Sequence, residues 1–378
     1  MLYSLTPEQS ELVELATSLA RRNGAGVRVS WEEAGKFPLD FCRELARHGL
    51  TGINLPTEQG GQGMSLFESV LVLEAVATTA PHLGDAVQAT NFGGIRQVAA
   101  FANDRLQHEV LAPALRGEAL VNIGMSEPDA GSALGEMRTQ ARVEGEYVYI
   151  DGQKVFNSNG PHASHYVVWA RFDDGPEGVG AVVVPGDAAG FSRGAPERFA
   201  SGEAHCTLNF DHVKVPKYHL LMDRSGIRKM MAIFNIERIG NATRSVAVGE
   251  LALRLAAGHM VDRVVGGLPL ADRQGLQWSL ADMRVRVDAS RLLVHRAALE
   301  LTEGVPSGVF TSIAKVAANE AAFEVVNEAI TIFGGYGFSS DSPLPYLLMR
   351  ARGWMTGGGT VGIQRTRIAR EELKRRHA

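Results

Sequence analysis

The sequence is poor in cysteine: Cys42 and Cys206 are its only two in 378 residues, and they lie far apart. That excludes a disulfide framework and fits a reducing compartment, with each thiol a small buried hydrophobe rather than a nucleophile. Long apolar runs are also missing, and none approaches the length of a membrane-spanning helix. Neither sign of charge dominates, with 38 Lys plus Arg against 42 Asp plus Glu and a net charge of −4. This removes the electrostatic case for nucleic acid or an anionic membrane. The 11 histidines show no ligand spacing, so no metal is expected, and His162 and His165 read as surface or turn residues. Met1–Ala16 carries glutamates and no basic stretch, so neither a secretory signal nor a transit peptide is expected there. Together these absences point to a soluble cytoplasmic protein.

What is present is ordinary globular sequence, 45% hydrophobic and 21% charged, long enough for two or three compact units. Residues 1–120 read as helices. Thr6-Pro7-Glu8-Gln9 is a start signal, with Thr6 as N-cap, Pro7 at the first helical position and Gln9 placed for a capping box. Further helices are expected from Pro38 through Leu45, stopping near Gly49, then over Leu66–Thr78 and Ile95–Leu115. From Val121 to about Leu221 the period shortens. Valine-rich strands at Tyr166–Ala170, Gly180–Val184 and Leu208–Phe210 suggest a compact barrel or sandwich. From Met230 onward the pattern is helical again, at Ile233–Val265, Leu276–Glu303 and Ser312–Ile332. The chain therefore reads as an α+β multidomain protein with a β unit between two helical parts.

The most telling segment is Asn122–Gly160. Its first block, Asn-Ile-Gly-Met-Ser-Glu-Pro-Asp-Ala-Gly-Ser, sets hydroxyls (Ser126, Ser132) and glycines (Gly124, Gly131) around Pro128. Such a loop can aim several main-chain N–H groups at one polar ligand. The second block, Tyr-Val-Tyr-Ile-Asp-Gly-Gln-Lys-Val-Phe-Asn-Ser-Asn-Gly, alternates through Tyr147–Ile150. It is expected to turn at Asp151-Gly152 and to resume as a strand delivering Ser158. The two blocks resemble the flavin-cradling loop and strand of acyl-CoA dehydrogenases, which read Met-Thr-Glu-Pro-x-Ala-Gly-Ser-Asp and Asn-Gly-x-Lys-x-Trp-Ile-Thr-Asn-Gly. The resemblance runs from Leu5 to about Leu373. Lys36-Phe37-Pro38, Gly49-Leu50, Pro56, Gly60-Gly61, Gly63 and Glu74 stand where the family has them. It implies an N-terminal helical domain over 1–120, a middle β-barrel over 121–229 and a C-terminal four-helix bundle over 230–378, usually assembled as a homotetramer.

The resemblance also implies FAD as cofactor. Met125 and Ser126 would lie along the pyrimidine side of the flavin and Ser158 near its reactive nitrogen. Phe156 stands in place of the family's tryptophan and would cover the ring, the other reading being a core aromatic. Asn157 replaces an apolar residue. Arg263 and Gly267 fall on the family's Arg-x-x-Phe-Gly, with Gly266 at the phenylalanine, followed by Pro269 and Gln274. Gly334, Gly335 and Gly337 fall on Gly-Gly-x-Gly, and Thr360 on the threonine closing the last family motif. In the family the first two of these motifs bind the diphosphate and adenosine of a neighbouring subunit's FAD, as an arginine fork and glycine N–H groups can. Without the resemblance, Gly-Gly-Tyr-Gly reads as a helix-ending turn and Arg263 as a solvated helix residue.

Desaturating an acyl thioester needs a base for the α-proton, and a buried glutamate suits that task. Most of the family carries it in Tyr-Glu-Gly-Thr, where this chain reads Thr356-Gly357-Gly358-Gly359-Thr360 with Gly358 at the base position. Members resembling isovaleryl- and long-chain-acyl-CoA dehydrogenases use instead a glutamate before an arginine on the first long C-terminal helix. Here that is Glu237-Arg238, with Ile233, Glu237 and Asn241 on one helical face. Glu237 is thus the expected base, an exposed ion pair with Arg238 or Arg244 being the alternative. The main-chain N–H of Gly358 could still polarise the thioester carbonyl.

Ser132 and Arg238 are expected on the substrate side, and Gln88–Phe92 among the pocket walls. Ala133 replaces the aspartate after the loop serine, and in Pro343-Leu-Pro-Tyr-Leu-Leu-Met-Arg350 the arginine matches only after a slip of one residue. The implied activity is FAD-dependent α,β-dehydrogenation of an acyl-CoA or acyl-carrier-protein thioester, with electron-transfer flavoprotein as acceptor. Enoyl reduction, desulfination, monooxygenation and a non-catalytic FAD-binding partner subunit are the alternatives.

Overall fold

The computed structural model describes residues 4–24, 35–224, 226–302 and 304–375. Thr6 caps the helix Pro7–Asn23 with the expected box: Gln9 N–H donates to Thr6 Oγ1 at 3.2 Å, and Thr6 N–H donates to Gln9 Oε1 at 3.1 Å. The helices Leu39–Arg47 and Leu66–Thr79 follow where the apolar spacing puts them. Chain reversal after the first of these uses Gly49 at φ 68°, a conformation that glycine adopts without steric cost. The expected single helix over Ile95–Leu115 is broken. Ile95–Phe101 ends, and Asn103 starts a second run by accepting the Leu106 N–H at 3.0 Å. That second run contains a π-turn at Gln107–Leu111, just before Pro113, which has no N–H to give. A helix over Gly84–Asn91 was not legible, because it opens on glycine and buries polar residues, Gln88 and Asn91 among them.

Nine strands form one mixed sheet: β1 (Val121–Gly124), β2 (Gln140–Glu144), β3 (Tyr147–Ser158), β4 (His165–Arg171), β5 (Val179–Pro185), β6 (Phe191–Arg193), β7 (Glu197–Arg198), β8 (Ala204–Pro216) and β9 (Leu220–Met222). The order is β6-β8-β3-β2-β4-β5-β9, with β1 parallel to β4 and β7 paired to β8. Asp151-Gly152 is not the hairpin turn expected of it. The chain reverses at Gly145-Glu146, and β3 runs unbroken through Gly152. There, at φ 142°, the glycine forms a bulge against β8, where a Cβ would come within 2.7 Å of Thr139. Asp-Gly serves a bulge as readily as a turn, and local sequence cannot tell them apart.

The described chain packs as two compact units. One, the sheet unit, comprises 35–65 and 85–237, and the other, the helical unit, comprises 4–24, 66–84 and 238–375. The helix Gly226–Asp262 begins in the first and ends in the second. The sheet unit buries Val167, Trp169, Val183 and Met230 against Leu55, Val98 and Leu106. Trp169 is fully buried and satisfies its indole N–H on Gln97 Oε1 at 3.0 Å, an anchor whose truncation would cost ~3–5 kcal/mol.

In the helical unit, Gln274–Leu299 and Gly308–Phe333 pack along one another, and the helices Leu344–Trp354 and Val361–Arg375 pack on the second of them. Lys315 is fully buried at their centre, its ammonium on Asn319 Oδ1 at 2.7 Å and the Trp354 carbonyl at 2.8 Å. Among the described residues, no helix is long and apolar enough to cross a membrane.

Candidate active site

In the sheet unit, the loop after β1 is laid onto β3 by its own charges. Glu127 N–H and carbonyl pair with Ala130 across Pro128-Asp129, closing a tight turn. The Glu127 carboxylate, itself buried, accepts from Lys154 Nζ at 2.7 Å, Arg138 N–H at 2.6 Å and Thr139 N–H at 2.9 Å. Burial pushes this carboxyl up, but the main-chain N–H groups and Lys154 outweigh it and hold it below the usual range. Lys154 is fully buried, and desolvation brings its ammonium down to about 8 against the pull of Glu127. Lys154 also donates to the Met125 carbonyl at 3.2 Å, and Val155 N–H donates to Ser126 at 2.8 Å. Met125 and Ser126 are therefore brought beside the 154–158 stretch, and the Ser126 hydroxyl has no partner among the described residues.

That stretch carries a second bulge. Phe156 sits in it at φ 57° with 62% of its surface exposed, so it is not the core aromatic that was the other reading. Its ring meets Phe199, with centroids 6.0 Å apart. Asn157 points inward instead and donates to the Cys206 carbonyl at 3.1 Å, which is how a polar residue is accommodated at an apolar family position. Cys206 and Cys42 are both buried, and burial pushes the Cys42 thiol up to about 12. Ser158 is exposed at the strand end, and its Oγ lies 2.7 Å from His205 Nε2 on β8. His205 was not singled out from the sequence. It faces Ser158 across the β3–β8 register, and nothing local in the sequence specifies that pairing. Ser132 is exposed in the loop beyond the Glu127–Ala130 turn.

Glu237 lies near the end of the sheet unit's part of the long helix. Gln88 Nε2 donates to its Oε1 at 3.4 Å and to its main-chain carbonyl at 3.3 Å. Its other oxygen, Oε2, is buried with no hydrogen-bond partner among the described residues, so the exposed ion pair with Arg238 or Arg244 is not formed. Arg244 instead lies over the Trp354 ring at 4.9 Å.

In the helical unit, buried Arg238 donates from Nε to the Gly358 carbonyl at 2.8 Å. Gln364, oriented by Ser312 at 2.8 Å, reaches the Gly359 carbonyl at 3.3 Å. Gly358 and Gly359 have φ of 69° and 88°, so the turn is built for glycine at both. With the Gly358 carbonyl held by Arg238, its N–H has no partner among the described residues. Thr360 caps the final helix, its Oγ1 accepting the Ile363 N–H at 3.3 Å.

Elsewhere in this unit, Arg263, Gly334, Gly335 and Tyr336 share a cavity of about 540 Å³. The Arg263 guanidinium sits 5.7 Å from the Tyr336 ring centre, and a Cβ on Gly334 or Gly335 would meet nothing within 4 Å. Gly266 and Gly267, both with positive φ, form the two-residue turn of a small hairpin, a task that phenylalanine could not fill. Gln274 opens the next helix outside this cavity. Gly337 is outside it too: a Cβ there would come within 2.7 Å of Phe333 Cβ, so it is a packing glycine.

An arginine, two open glycines and an aromatic ring suit a diphosphate carrying a base. An exposed aromatic beside serine hydroxyls on a stiffly held strand suits a flavin ring. The residues present in each unit thus fit FAD. The helix–sheet–helix order of the chain and these features are those of a flavin-dependent oxidoreductase. The comparisons agree along the whole chain: 6–118, 122–213 and 224–373 match the acyl-CoA dehydrogenase N-terminal, middle and C-terminal domains. An acyl-CoA dehydrogenase of Bacillus subtilis is 31% identical over 97% of this chain and 98% of its own length. A 3-sulfinopropanoyl-CoA desulfinase of Advenella mimigardefordensis is also 31% identical, covering 98% of this chain and 95% of that protein. The structure of butyryl-CoA dehydrogenase from Megasphaera elsdenii superposes with a TM-score of 0.92 at 28% identity, over 99% of this chain and 100% of that one. The chain belongs to the acyl-CoA dehydrogenase family, whose members are FAD-binding oxidoreductases acting on CH–CH groups.

Proposed function

We propose that this protein introduces an α,β double bond into an acyl thioester and that Glu237 takes the α-proton. The observation supporting this most directly is the state of its carboxylate: one oxygen on Gln88, the other buried and unpartnered, in a chain whose usual base position holds Gly358. A buried oxygen with no competing donor is ready to accept a proton. Bound FAD would supply the acceptor for the hydrogen and electron pair that leave the β-carbon. Met125, Ser126, Phe156 and Ser158 would hold its ring, and Thr360 would contribute from the last turn. In a homotetramer, Arg263, Gly334 and Gly335 would serve a neighbouring subunit's FAD. The unpartnered Gly358 N–H would donate to the thioester carbonyl. Arg238 would assist the substrate by fixing the turn that presents that N–H. Ser132 would meet the pantetheine arm, which CoA and acyl carrier protein share. The working division into domains is 1–120, 121–229 and 230–378, with electron-transfer flavoprotein as acceptor.

The test is anaerobic titration of the purified flavoprotein with a panel of saturated acyl-CoAs, read as bleaching of oxidised flavin and as enoyl product. Glu237→Gln is expected to keep its FAD and lose about 10²–10⁴-fold in turnover, the usual weight of a general base. Unchanged turnover would exclude Glu237 as the base. A second reading, desulfination, is favoured by the glycine at 358 together with a desulfinase relative as similar as the dehydrogenase. Sulfite release from a 3-sulfinopropanoyl thioester without bleaching by saturated substrates would select it. Activity only after mixing with another family member would select the partner-subunit reading.

A further inference from the structure

The pairing of Ser158 with His205 has a direction. His205 Nδ1 lies 3.3 Å from the Glu203 main-chain carbonyl, which can only accept. Nδ1 therefore carries the hydrogen, and in the neutral ring Nε2 is left as a lone pair. Ser158 Oγ, 2.7 Å from that lone pair, must donate to it. The imidazole is fixed in place: it is buried, stacked on Phe199 at 3.8 Å with 12° between the planes, and directly opposite Ser158 in the strand register. Phe199 in turn meets Phe156. Burial lowers the imidazole's proton affinity, which keeps the ring neutral, while Glu203 and Glu197 pull the other way. With its only proton committed to His205, the Ser158 hydroxyl can offer nothing but lone pairs to any group that approaches from the exposed side.

We propose that His205 is a positioning residue that makes Ser158 an obligate hydrogen-bond acceptor toward the flavin, and so favours the reduced cofactor over the oxidised one. This rests on the reading that places Ser158 at the reactive nitrogen. That nitrogen is a lone pair in the oxidised ring and an N–H in the reduced ring. An acceptor-only hydroxyl matches the reduced form and leaves the oxidised form without a donor. A serine free to rotate would instead suit both forms. The pair thereby biases the redox equilibrium of the bound flavin without touching the thioester.

The experiment is a double-mutant cycle on the FAD-loaded protein, read as the midpoint potential of the bound flavin by equilibration with a reference dye. FAD content and Tm are measured alongside. His205→Phe keeps the stack on Phe199 and removes the acceptor. It is expected to lower the reduced-to-oxidised ratio about tenfold, which for a two-electron couple is ~30 mV more negative. Ser158→Ala should lower it by a similar amount, and the double variant no further. If His205→Phe fails to retain FAD, His205→Met tests the same loss of acceptor without the ring.

Equal shifts from His205→Phe in the wild-type and Ser158→Ala backgrounds would make His205 merely structural and overturn the proposal. So would no shift from His205→Phe where Ser158→Ala gives one. No shift from Ser158→Ala itself would remove Ser158 from the flavin, and the underlying assignment would fall with it.

Discussion

Gln88 Nε2 lies 3.4 Å from Glu237 Oε1 and 3.3 Å from the Glu237 carbonyl, so one side chain grips both the carboxylate and the helix turn that carries it. Gln88 comes from the short helix Gly84–Asn91 and is itself buried. A hydrogen bond to a charged group is worth ~1.5–3 kcal/mol, and one of this length belongs at the weak end. Gln88→Leu is therefore expected to reduce kcat/KM about tenfold, with FAD content unchanged. Steady-state kinetics on the active acyl-CoA checks this, and an unaltered rate would show that Glu237 is oriented without Gln88.

Phe156 holds a left-handed backbone conformation at φ 57° while exposing most of its ring. That combination costs about 1–2 kcal/mol of strain for an L-residue with a Cβ, and little core burial offsets it. Phe156→Gly should leave Tm unchanged or raise it slightly while weakening FAD retention about tenfold, since an aromatic stack is worth ~0.5–1.5 kcal/mol. Thermal melts together with flavin dissociation measured by fluorescence separate the two effects. A drop in Tm without loss of FAD would make Phe156 a structural aromatic.

Glu250 is the hub of the helical unit's charge network, accepting from Arg254 and Arg284 at 2.8 Å each and from Arg291 at 2.9 Å, while Arg291 also reaches Glu74 at 2.7 Å. Burial pushes the Glu250 carboxyl up, but the three guanidinium groups outweigh it and bring it down to about 2 from an ordinary 4.5. A carboxylate with a depressed folded value contributes stability above its unfolded value, and that contribution disappears as pH falls through the folded one. The window is therefore from about 4.5 down to about 2. Glu250→Gln removes the carboxylate that three arginines share, while Asp288 still bridges Arg284 and Arg291 and Glu74 still holds Arg291, so a loss of ~1.5–3 kcal/mol is expected at pH 7. Urea melts at pH 7, 4.5 and 3 are expected to show the gap between wild type and variant narrowing with acid. A gap independent of pH would mean that the carboxylate's charge contributes nothing.

Much of this architecture was legible in the sequence because it rests on local rules. Thr6, Pro7 and Gln9 dictate a capping box that forms as expected, and the valine runs of β4 and β5 lie within a residue or two of their expected limits. The failures have physical causes. Asp151-Gly152 makes a bulge rather than a turn because Gly145-Glu146 reverses the chain first. The helix Gly84–Asn91 hides because its buried face is partly polar. Of the candidate site, Glu237, Phe156 and Ser158 could be found by motif. Gln88 as the grip on Glu237, His205 opposite Ser158 and Arg238 on the Gly358 carbonyl depend on contacts between distant segments, which no local pattern encodes.

The turn 356–360 offers the sharpest test of whether its glycines are there for shape. Gly359 has φ 88°, and a Cβ on it would stand 2.7 Å from Gln364 Nε2, the group that holds the turn's carbonyls. Gly359→Ala therefore meets both backbone strain and a clash, and a loss of ~1–3 kcal/mol is expected. Gly358→Ala, at φ 69°, meets backbone strain as well and should cost about 1 kcal/mol or more. Shortening the obstructing side chain distinguishes the two costs. Gln364→Ala destabilises by itself, since it orphans Ser312 and the turn carbonyls. Combined with Gly359→Ala, the total should be less than the sum by roughly 1 kcal/mol because the clash is gone. Urea melts of the wild type, Gly359→Ala, Gln364→Ala and the double variant give the cycle. Strict additivity would mean that Gln364 yields freely, leaving backbone conformation alone to require glycine at 359.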